Sequence, residues 1–588
     1  MHEGLVLVEA EGFDDLGGWA VDQQFMDVMG SPFLLAHGAG VPVADASTEI
    51  RLPGVGEYRV WVRTRDWCGP RDHSPASRRQ ATEAAPGAFE ALVDGKPLDV
   101  RFGTDGGDWH WQDGGTVRLP KPWIRLALHD LTGFDGRCDA ILLSPDLGFV
   151  PPSGNPELSD LRRGLLGVPP CPPSAGDFDL VVVGGGVAGL CAAVSAARGG
   201  LKVALVQDRP VLGGNNSSEV RVQLKGDVGL PPYPSLGAVV REIDPQTGDS
   251  ALPARAYRDD RKLEVVRGEP RIYLFLDTRI VAASESGGFI RHLVGQETRT
   301  GERRRFEAPL FADCTGDACV GVLAGAELRV GRESRTETGE PSAPTRADSM
   351  TLGLTLLWCA GETDSEQPFP GTPWALPFDD DTCLHATKGA WNWETGMDQD
   401  QVLEGEAIRD HMLRAIYGHW SFMKNESKER ARYRNYALDW VGYVGGKRES
   451  RRLLGDVIVT EQDIVSERRY NDGCVMTSWP IDLHYPQRPP SDGVRSFLSR
   501  AEQRHVASFG IPYRSLYSRN VRNLFMAGRD ISVTHIAFGA VRVMGTTGMM
   551  GEVVGQAAAI AARRGCQPRG VYEHHLPELQ EKLCAQVR

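Results

Sequence analysis

The chain has eleven cysteines but no Cys-x-x-Cys pair. Cys68, Cys138, Cys171, Cys191, Cys314, Cys319, Cys359, Cys383, Cys474, Cys566 and Cys584 stand singly, and their number is odd. That pattern argues against a complete disulfide framework, a dithiol relay and a structural zinc site, so reduced thiols are expected. An excess of basic residues is also missing. Lys and Arg total 65 against 78 Asp and Glu, a formal charge of −13, which disfavours non-specific attraction to nucleic acid or anionic membrane. The densest basic run, Arg303-Arg304-Arg305, reads as a solvated face. No apolar run approaches the roughly 18 residues of a membrane helix, so no membrane insertion is expected. The start, Met1 to Glu9, lacks the basic region and apolar core of a signal peptide. Cytoplasmic residence is therefore the expectation, with a trimmed export signal as the alternative. Asp379-Asp380-Asp381 lacks EF-hand spacing and Glu573-His574-His575 lacks a metal-ligand pattern; both read as solvated, and no metal is expected.

Glycine, by contrast, is plentiful at 68 residues, as a fold with tight turns and close backbone approaches requires. Residues 1–150 read as an all-β sandwich or jelly roll. Tyr58–Arg63 and Trp123–Leu128 alternate at period two, and Val93-Asp94-Gly95-Lys96 carries an Asp-Gly hairpin signal. The tryptophans here (Trp19, Trp61, Trp67, Trp109, Trp111, Trp123) have two readings, sugar-stacking platforms or core and interdomain aromatics, of which the second is favoured. Residues 151–177 hold two proline clusters and read as an ordered linker.

From Phe178 the texture becomes α/β. Phe178–Val183 is a buried-strand pattern, Val187–Arg198 is an Ala-rich helix and Leu201–Val206 is a second strand. Between the first strand and the helix, Gly184, Gly186 and Gly189 form GxGxxG. In that βαβ setting the motif assigns the first glycine to a tight turn, the second to pyrophosphate approach and the third to helix–strand packing. Val187 and Ala188 open the helix, whose N-terminus offers N–H groups to phosphate. The strand-end position that usually carries a ribose-binding acid holds Gln207, followed by Asp208 and Arg209. Either the Gln207 amide or Asp208 can serve that role.

Beyond the second strand comes Gly213-Gly214-Asn215-Asn216-Ser217-Ser218. This loop resembles the FAD-dependent oxidoreductase branch of the glutathione-reductase-type FAD superfamily, akin to the fumarate reductase and succinate dehydrogenase flavoproteins. Thr315-Gly316-Asp317 resembles the family's strand-end segment on the adenine side. Gly528-Arg529-Asp530 resembles its late turn, where an Asp accepts from the ribityl chain, and Gly548-Met549-Met550 resembles the start of the helix aimed at the isoalloxazine. The resemblance implies a Rossmann-type FAD-binding domain in two parts, 178–330 and 521–588, around an α+β substrate region, 331–520. It implies non-covalent FAD, since no attachment histidine is identifiable. Asn216-Ser217-Ser218 matches a glycosylation acceptor, but the loop is expected against the cofactor. The N-terminal region loosely resembles modules of carbohydrate-active enzymes.

No second strand-preceded GxGxxG follows, so the substrate itself is expected to reduce the flavin. Oxidation of an alcohol needs a base, and His535 and His484 are the candidates. Arg448 and Arg542 are candidates to hold an anionic group or an oxyanion, against structural ion pairing as the alternative. The expected substrate is a hydroxylated small molecule, with a sugar or glycoside suggested by the N-terminal resemblance. Rival readings are a redox-neutral flavin-dependent isomerase or lyase, and a glycan-binding protein with a vestigial flavin fold. A homo-oligomer is compatible with the sequence, which leaves the electron acceptor open.

Overall fold

The computed structural model describes residues 4–69, 85–244, 248–488 and 495–584. Strands within residues 6–69 and 85–144 form antiparallel sheets. One runs Val6–Glu9, Ala140–Ser144, Gly56–Thr64, His110–Leu119; another runs Ala46–Arg51, Trp123–Asp130, Phe89–Val93, Lys96–Phe102. Their shared core includes Val60, Val62, Phe89, Leu126, Leu128, Ile141 and Leu143. Period-two alternation puts Ile124, Leu126 and Leu128 inward from one strand while Trp123 and Arg125 face out. The Asp94-Gly95 turn has positive φ at both residues, as the tight primed hairpin demands. Five of the six tryptophans are buried or half-buried in the core and at domain contacts; only Trp123, 56% accessible, is exposed.

The proline-rich stretch does more than span a gap. Its helix Glu157–Leu165 lays Leu158 and Leu161 on Trp61 and Trp111, covering the outer face of the sandwich. Arg162 from that helix donates to Glu9 and Asp139. Strand Ser174–Asp177 then joins the next domain by pairing parallel with Arg303–Glu307. The three arginines Arg303, Arg304 and Arg305 lie in that strand, half-buried or exposed.

A five-stranded parallel sheet follows, in the order Ile272–Phe275, Val203–Val206, Leu180–Val183, Leu310–Asp313, Leu524–Met526. Its middle strands, LVVV and VALV, are buried throughout, which is why they read as unbroken apolar runs. Helix Val187–Arg198 connects the central pair of strands, and helix Met544–Arg564 packs across it. An antiparallel meander, Thr278–Ser286, Phe289–Glu297 and Arg303–Glu307, lies beside the sheet.

Between the two parts of this domain sit short sheets and one long helix, Gly405–Asn425. That helix docks on the N-terminal sandwich through buried charge. Arg137, fully buried, donates to Glu406 and to both oxygens of Asp410 (3.0 and 2.6 Å). Arg65 and Trp109 also reach Glu406, at 3.0 Å each, and Arg409 reaches Asp22 at 2.5 Å. Trp67 and Phe134 of the sandwich share an apolar cluster with Trp358, Trp393 and Trp420. Among the described residues, no helix is long and apolar enough to cross a membrane.

Burial alone would raise the Glu406 carboxyl, but Arg65, Arg137 and Arg409 overcome it and hold its pKa at about 2. Glu406→Ala removes that acceptor, strands Arg65 and leaves Arg137 with Asp410 alone, a loss of about 3–5 kcal/mol expected for breaking a buried pair. Because the folded pKa lies below the ordinary value of 4.5, the stabilisation is whole above about pH 4.5 and fades as pH falls towards about 2. Thermal unfolding of wild type and variant at neutral pH and at pH 3 should show the gap between them narrowing in acid.

Candidate functional site

The carboxyl ends of the parallel strands open on one edge of the sheet, where Val183, Val206, Cys314 and Gly528 border a long cleft of about 1410 Å³. The glycine turn forms its floor. Gly184 has φ +99°, and a Cβ there would meet Cys314 O at 2.4 Å. At Gly189 a Cβ would fall 1.8 Å from Gly184 O, so only glycine lets the helix seat on the turn. Gly186 differs: the nearest atom to its Cβ would be Gly214 Cα at 3.9 Å, so the space beside it is open cleft. No side chain caps the helix that begins at Val187. The cradle therefore combines a bare helix N-terminus with backbone a phosphate can approach, and an FAD pyrophosphate fits it.

Gln207 is spent on the turn itself. Its Oε1 accepts from Gly185 N at 2.6 Å and its Nε2 donates to Val211 O at 3.1 Å. Asp208 lines the cleft and accepts from Arg279 at 2.8 Å. Arg209 lines it too, braced by two 2.8 Å bonds to Glu219. Gly213, at φ +111°, and Gly214 press against the glycine turn through a Gly186–Gly213 bridge. Asn215 donates to Lys447 O at 3.1 Å, and Asn215 and Ser217 face the cleft. Asn216 is wholly buried and donates to Val222 O, which leaves its side chain no room for a glycan.

Of the late segments, Thr315, Gly316, Asp317, Gly528 and Arg529 line the cleft. Asp317 accepts from Lys447 at 2.7 Å and from Arg529 at 3.3 Å, and these cations outweigh burial to hold its carboxyl well below the usual range. Asp530 turns the other way, into the interior. It is fully buried, and burial together with the Asp313 carboxylate raises it far above an ordinary Asp. The ribityl role expected of Asp530 therefore has no support in its position; Arg529 is the residue that faces the cleft.

Gly548, Met549 and Met550 do not line the cleft, whereas Met544 and Thr547 just before them do. The glycines serve packing: a Cβ at Gly548 would strike Val240 at 2.4 Å, at Gly551 Ala188 O at 2.0 Å and at Gly555 Ala192 O at 2.6 Å. Residues not singled out from sequence also reach the cleft, including Gln24, Thr278, Arg279, Val444 and Lys447. Gln24 comes from the N-terminal domain and accepts from Gly445 N at 2.9 Å. Among the described residues no histidine lines this cleft.

A second cavity of about 1040 Å³ adjoins the first, sharing Asn215, Lys447, Arg529, Arg542 and Met544 with it. Here the structure gathers His484, Arg448 and Arg542. His484 Nδ1 lies 2.5 Å from Glu394 Oε2, and Arg542 Nη2 lies 3.3 Å from His484 Nε2. Arg542 also donates to Asp482 at 2.8 Å. Arg448 donates to Thr355 and to Trp391 O and lies 3.3 Å from Glu394. Burial works against the Glu394 charge, but Arg448 and His484 prevail and hold its pKa at about 2. An ionised Glu394 accepts from Nδ1, while Nε2 stands between Arg542 Nη2 at 3.3 Å and Asp482 Oδ2 at 3.4 Å. His535 lines neither cavity. It is buried, with Nδ1 2.8 Å from Glu449 and its backbone N–H on Glu333, so the short helix it begins carries it away from the cleft.

A family model described as FAD dependent oxidoreductase matches residues 179–583. No curated protein matches the chain. Among solved structures it is similar to a family 35 carbohydrate binding module from Clostridium thermocellum (15% identity, 24% of this chain and 96% of that one, TM-score 0.18). It is also similar to the FrdA chain of E. coli quinol fumarate reductase (12% identity, 70% and 74%, TM-score 0.28). A third is a geranylgeranyl bacteriochlorophyll reductase-like protein from Thermoplasma acidophilum (12% identity, 69% and 82%, TM-score 0.28).

Gly186→Val and Gly189→Val should separate the two tasks of the turn. The first places its side chain in open cleft, so the protein folds but retains FAD at least about tenfold less tightly, a loss of about 1.4 kcal/mol or more. The second forces backbone atoms apart and lowers thermal stability as well. Flavin absorbance after purification, read beside the unfolding midpoint, distinguishes them; a fully yellow Gly186→Val protein would refute the assignment.

Proposed function

The chain belongs to the FAD dependent oxidoreductase family, and from that premise we propose that it oxidises a hydroxylated small molecule, with His484 as the base that takes the hydroxyl proton. The observation that carries this reading is the junction of the two cavities, where a histidine oriented by a buried carboxylate opens beside the cofactor cleft. FAD, when bound, supplies a two-electron acceptor for the hydride that leaves the carbinol carbon. The cradle of Gly184, Gly186, Val187, Ala188, Gly213, Gly214, Asn215, Ser217 and Arg529 would hold it, without a covalent link.

His484 is prepared for its task by Glu394. The carboxylate accepts from Nδ1 and turns Nε2 towards Arg542, and it stabilises the imidazolium that forms when Nε2 takes a proton. Arg542, beside Nε2, is placed to stabilise negative charge on the substrate oxygen as the proton leaves. Arg448 secures Glu394 and anchors Trp391 O, which makes it a positioning residue in this scheme. Trp391 and Trp479 give the cavity flat apolar faces, and Gln223 and Gln503 give it amide groups. That mixture suits a sugar or glycoside ring, whose faces are apolar and whose rim is hydroxylated.

His484→Ala should keep FAD bound and its spectrum near wild type, while anaerobic flavin reduction by the substrate slows by about 10²–10⁴-fold. Rapid-mixing absorbance after a screen of sugars, polyols and glycosides makes the measurement. His535→Ala should leave the reduction rate much less affected and instead lower the unfolding midpoint, because it leaves Glu449 short of a buried partner. If His535→Ala is the slow variant and His484→Ala the fast one, the roles are reversed.

A further inference from the structure

Five cations line the second cavity, Lys225, Lys447, Arg448, Arg529 and Arg542, against one lining acid, Asp482. Two more carboxylates stand behind the wall. Asp317 occupies Lys447 and Arg529, and Glu394 faces Arg448 and His484. Five positive charges thus meet three negative ones, in a chain whose overall charge is −13. The least compensated members can be identified. Lys225 is exposed, and its ammonium makes no hydrogen bond or direct ion pair among the described residues; the carboxylate that acts on it from farther off, Asp249, is held by Lys388 at 2.6 Å. Its backbone is fixed, because Lys225 O accepts from Gly545 N at 2.8 Å at the start of the final long helix. Arg542 pairs directly with Asp482, and its Nε has no partner. Burial, joined by the Arg448 charge, pulls this guanidinium below its ordinary value despite the carboxylates of Asp482, Glu394 and Glu449.

A second observation points the same way. Three residues lining this cavity carry buried polar atoms without partners: Gln223 Oε1, an acceptor, and Trp479 Nε1 and Arg542 Nε, both donors. Leaving such groups unpaired costs about 1–3 kcal/mol each. These side chains give the cavity wall one acceptor and two donors, the complement of an anionic, hydroxylated ligand.

We propose that the substrate is an anion, a hydroxylated molecule carrying a carboxylate or phosphate group that Arg542 and Lys225 hold in this cavity. The inference rests on reading this cavity as the substrate site and adds the charge of what enters it. The oxyanion takes paired donors from a guanidinium and a single one from the ammonium. Trp391 and Trp479 flank the hydroxylated remainder.

The experiment titrates oxidised holoenzyme, without oxygen, with D-gluconate, D-glucuronate, D-glucose 6-phosphate and neutral D-glucose and D-sorbitol. Flavin absorbance shifts report binding, bleaching reports reduction and the unfolding midpoint gives a second binding readout. We expect shifts from the anionic members only, with carboxylates and phosphates ranked by their separate affinities. Lys225→Met should weaken those anions about tenfold or more, and Lys225→Arg should restore them. Neutral members that bind as tightly as anions, the absence of any anion-specific shift, or unchanged affinity in Lys225→Met would each overturn the proposal. Anion-specific shifts without bleaching by any compound would leave it standing and count instead against the oxidation reading.

Discussion

The contact between two helices distant in sequence organises this molecule. Gly551 and Gly555 lie on Ala188, Ala192 and Ala196, close enough that a single added methyl would strike backbone, and one at Gly548 would strike the Val240 side chain. Small residues on both sides bring the axes together and leave no freedom in how one helix slides on the other. The outcome is positional. The N-terminus of helix Val187–Arg198 and that of helix Met544–Arg564 emerge at the same edge of the parallel sheet, and both border the cleft. The shared residues Arg542 and Met544, and the pinned carbonyl of Lys225, take their places from this contact.

How much of this was legible from sequence depended on the kind of information each motif carries. Glycine motifs encode backbone conformation, and backbone conformation is local. The turn at Gly184–Gly189 and the Gly213-Gly214 loop could therefore be read, and their three-dimensional tasks match the residue types. Side-chain direction is another matter. In the turn after strand Leu524–Met526 neighbours face different ways, so Arg529 meets the cleft while Asp530 enters the core, although the resemblance named both. Gly548 misled for a related reason: a glycine kept for helix contact looks in sequence like a glycine kept for a ligand. His535 lies near the right turn in sequence, yet it opens a short helix that aims it at Glu449. Gln24, Arg279 and Lys447 carried no local signal at all, since they reach the cleft only through tertiary packing.

Charge is distributed unevenly, and its distribution separates structural roles from chemical ones. At the domain contact, Arg137, Arg65 and Arg409 are matched one for one by Glu406, Asp410 and Asp22, a buried set of equal and opposite charge. Such sets specify which surfaces meet, because a mismatched partner leaves a bare charge in a dry environment. The second cavity differs, with lining cations outnumbering lining acids. In a protein of net negative charge, that local reversal focuses potential on one opening.

The segment Asp22–Asp27 of the N-terminal sandwich reaches into the wall of the cofactor cleft. Gln23 donates to Asp208 O at 2.8 Å, Gln24 lines the cleft, and Asp27 pairs with Arg279 at 2.7 Å. A binding site built from two domains makes their equilibria inseparable. Whatever factor domain docking adds to cofactor affinity, cofactor adds to docking, since a thermodynamic cycle closes regardless of the path taken around it. The sandwich is thus not exchangeable cargo. Grafting another module in its place would remove the part of the cleft wall that Gln24 supplies and the bonds that Gln23 and Asp27 make to it.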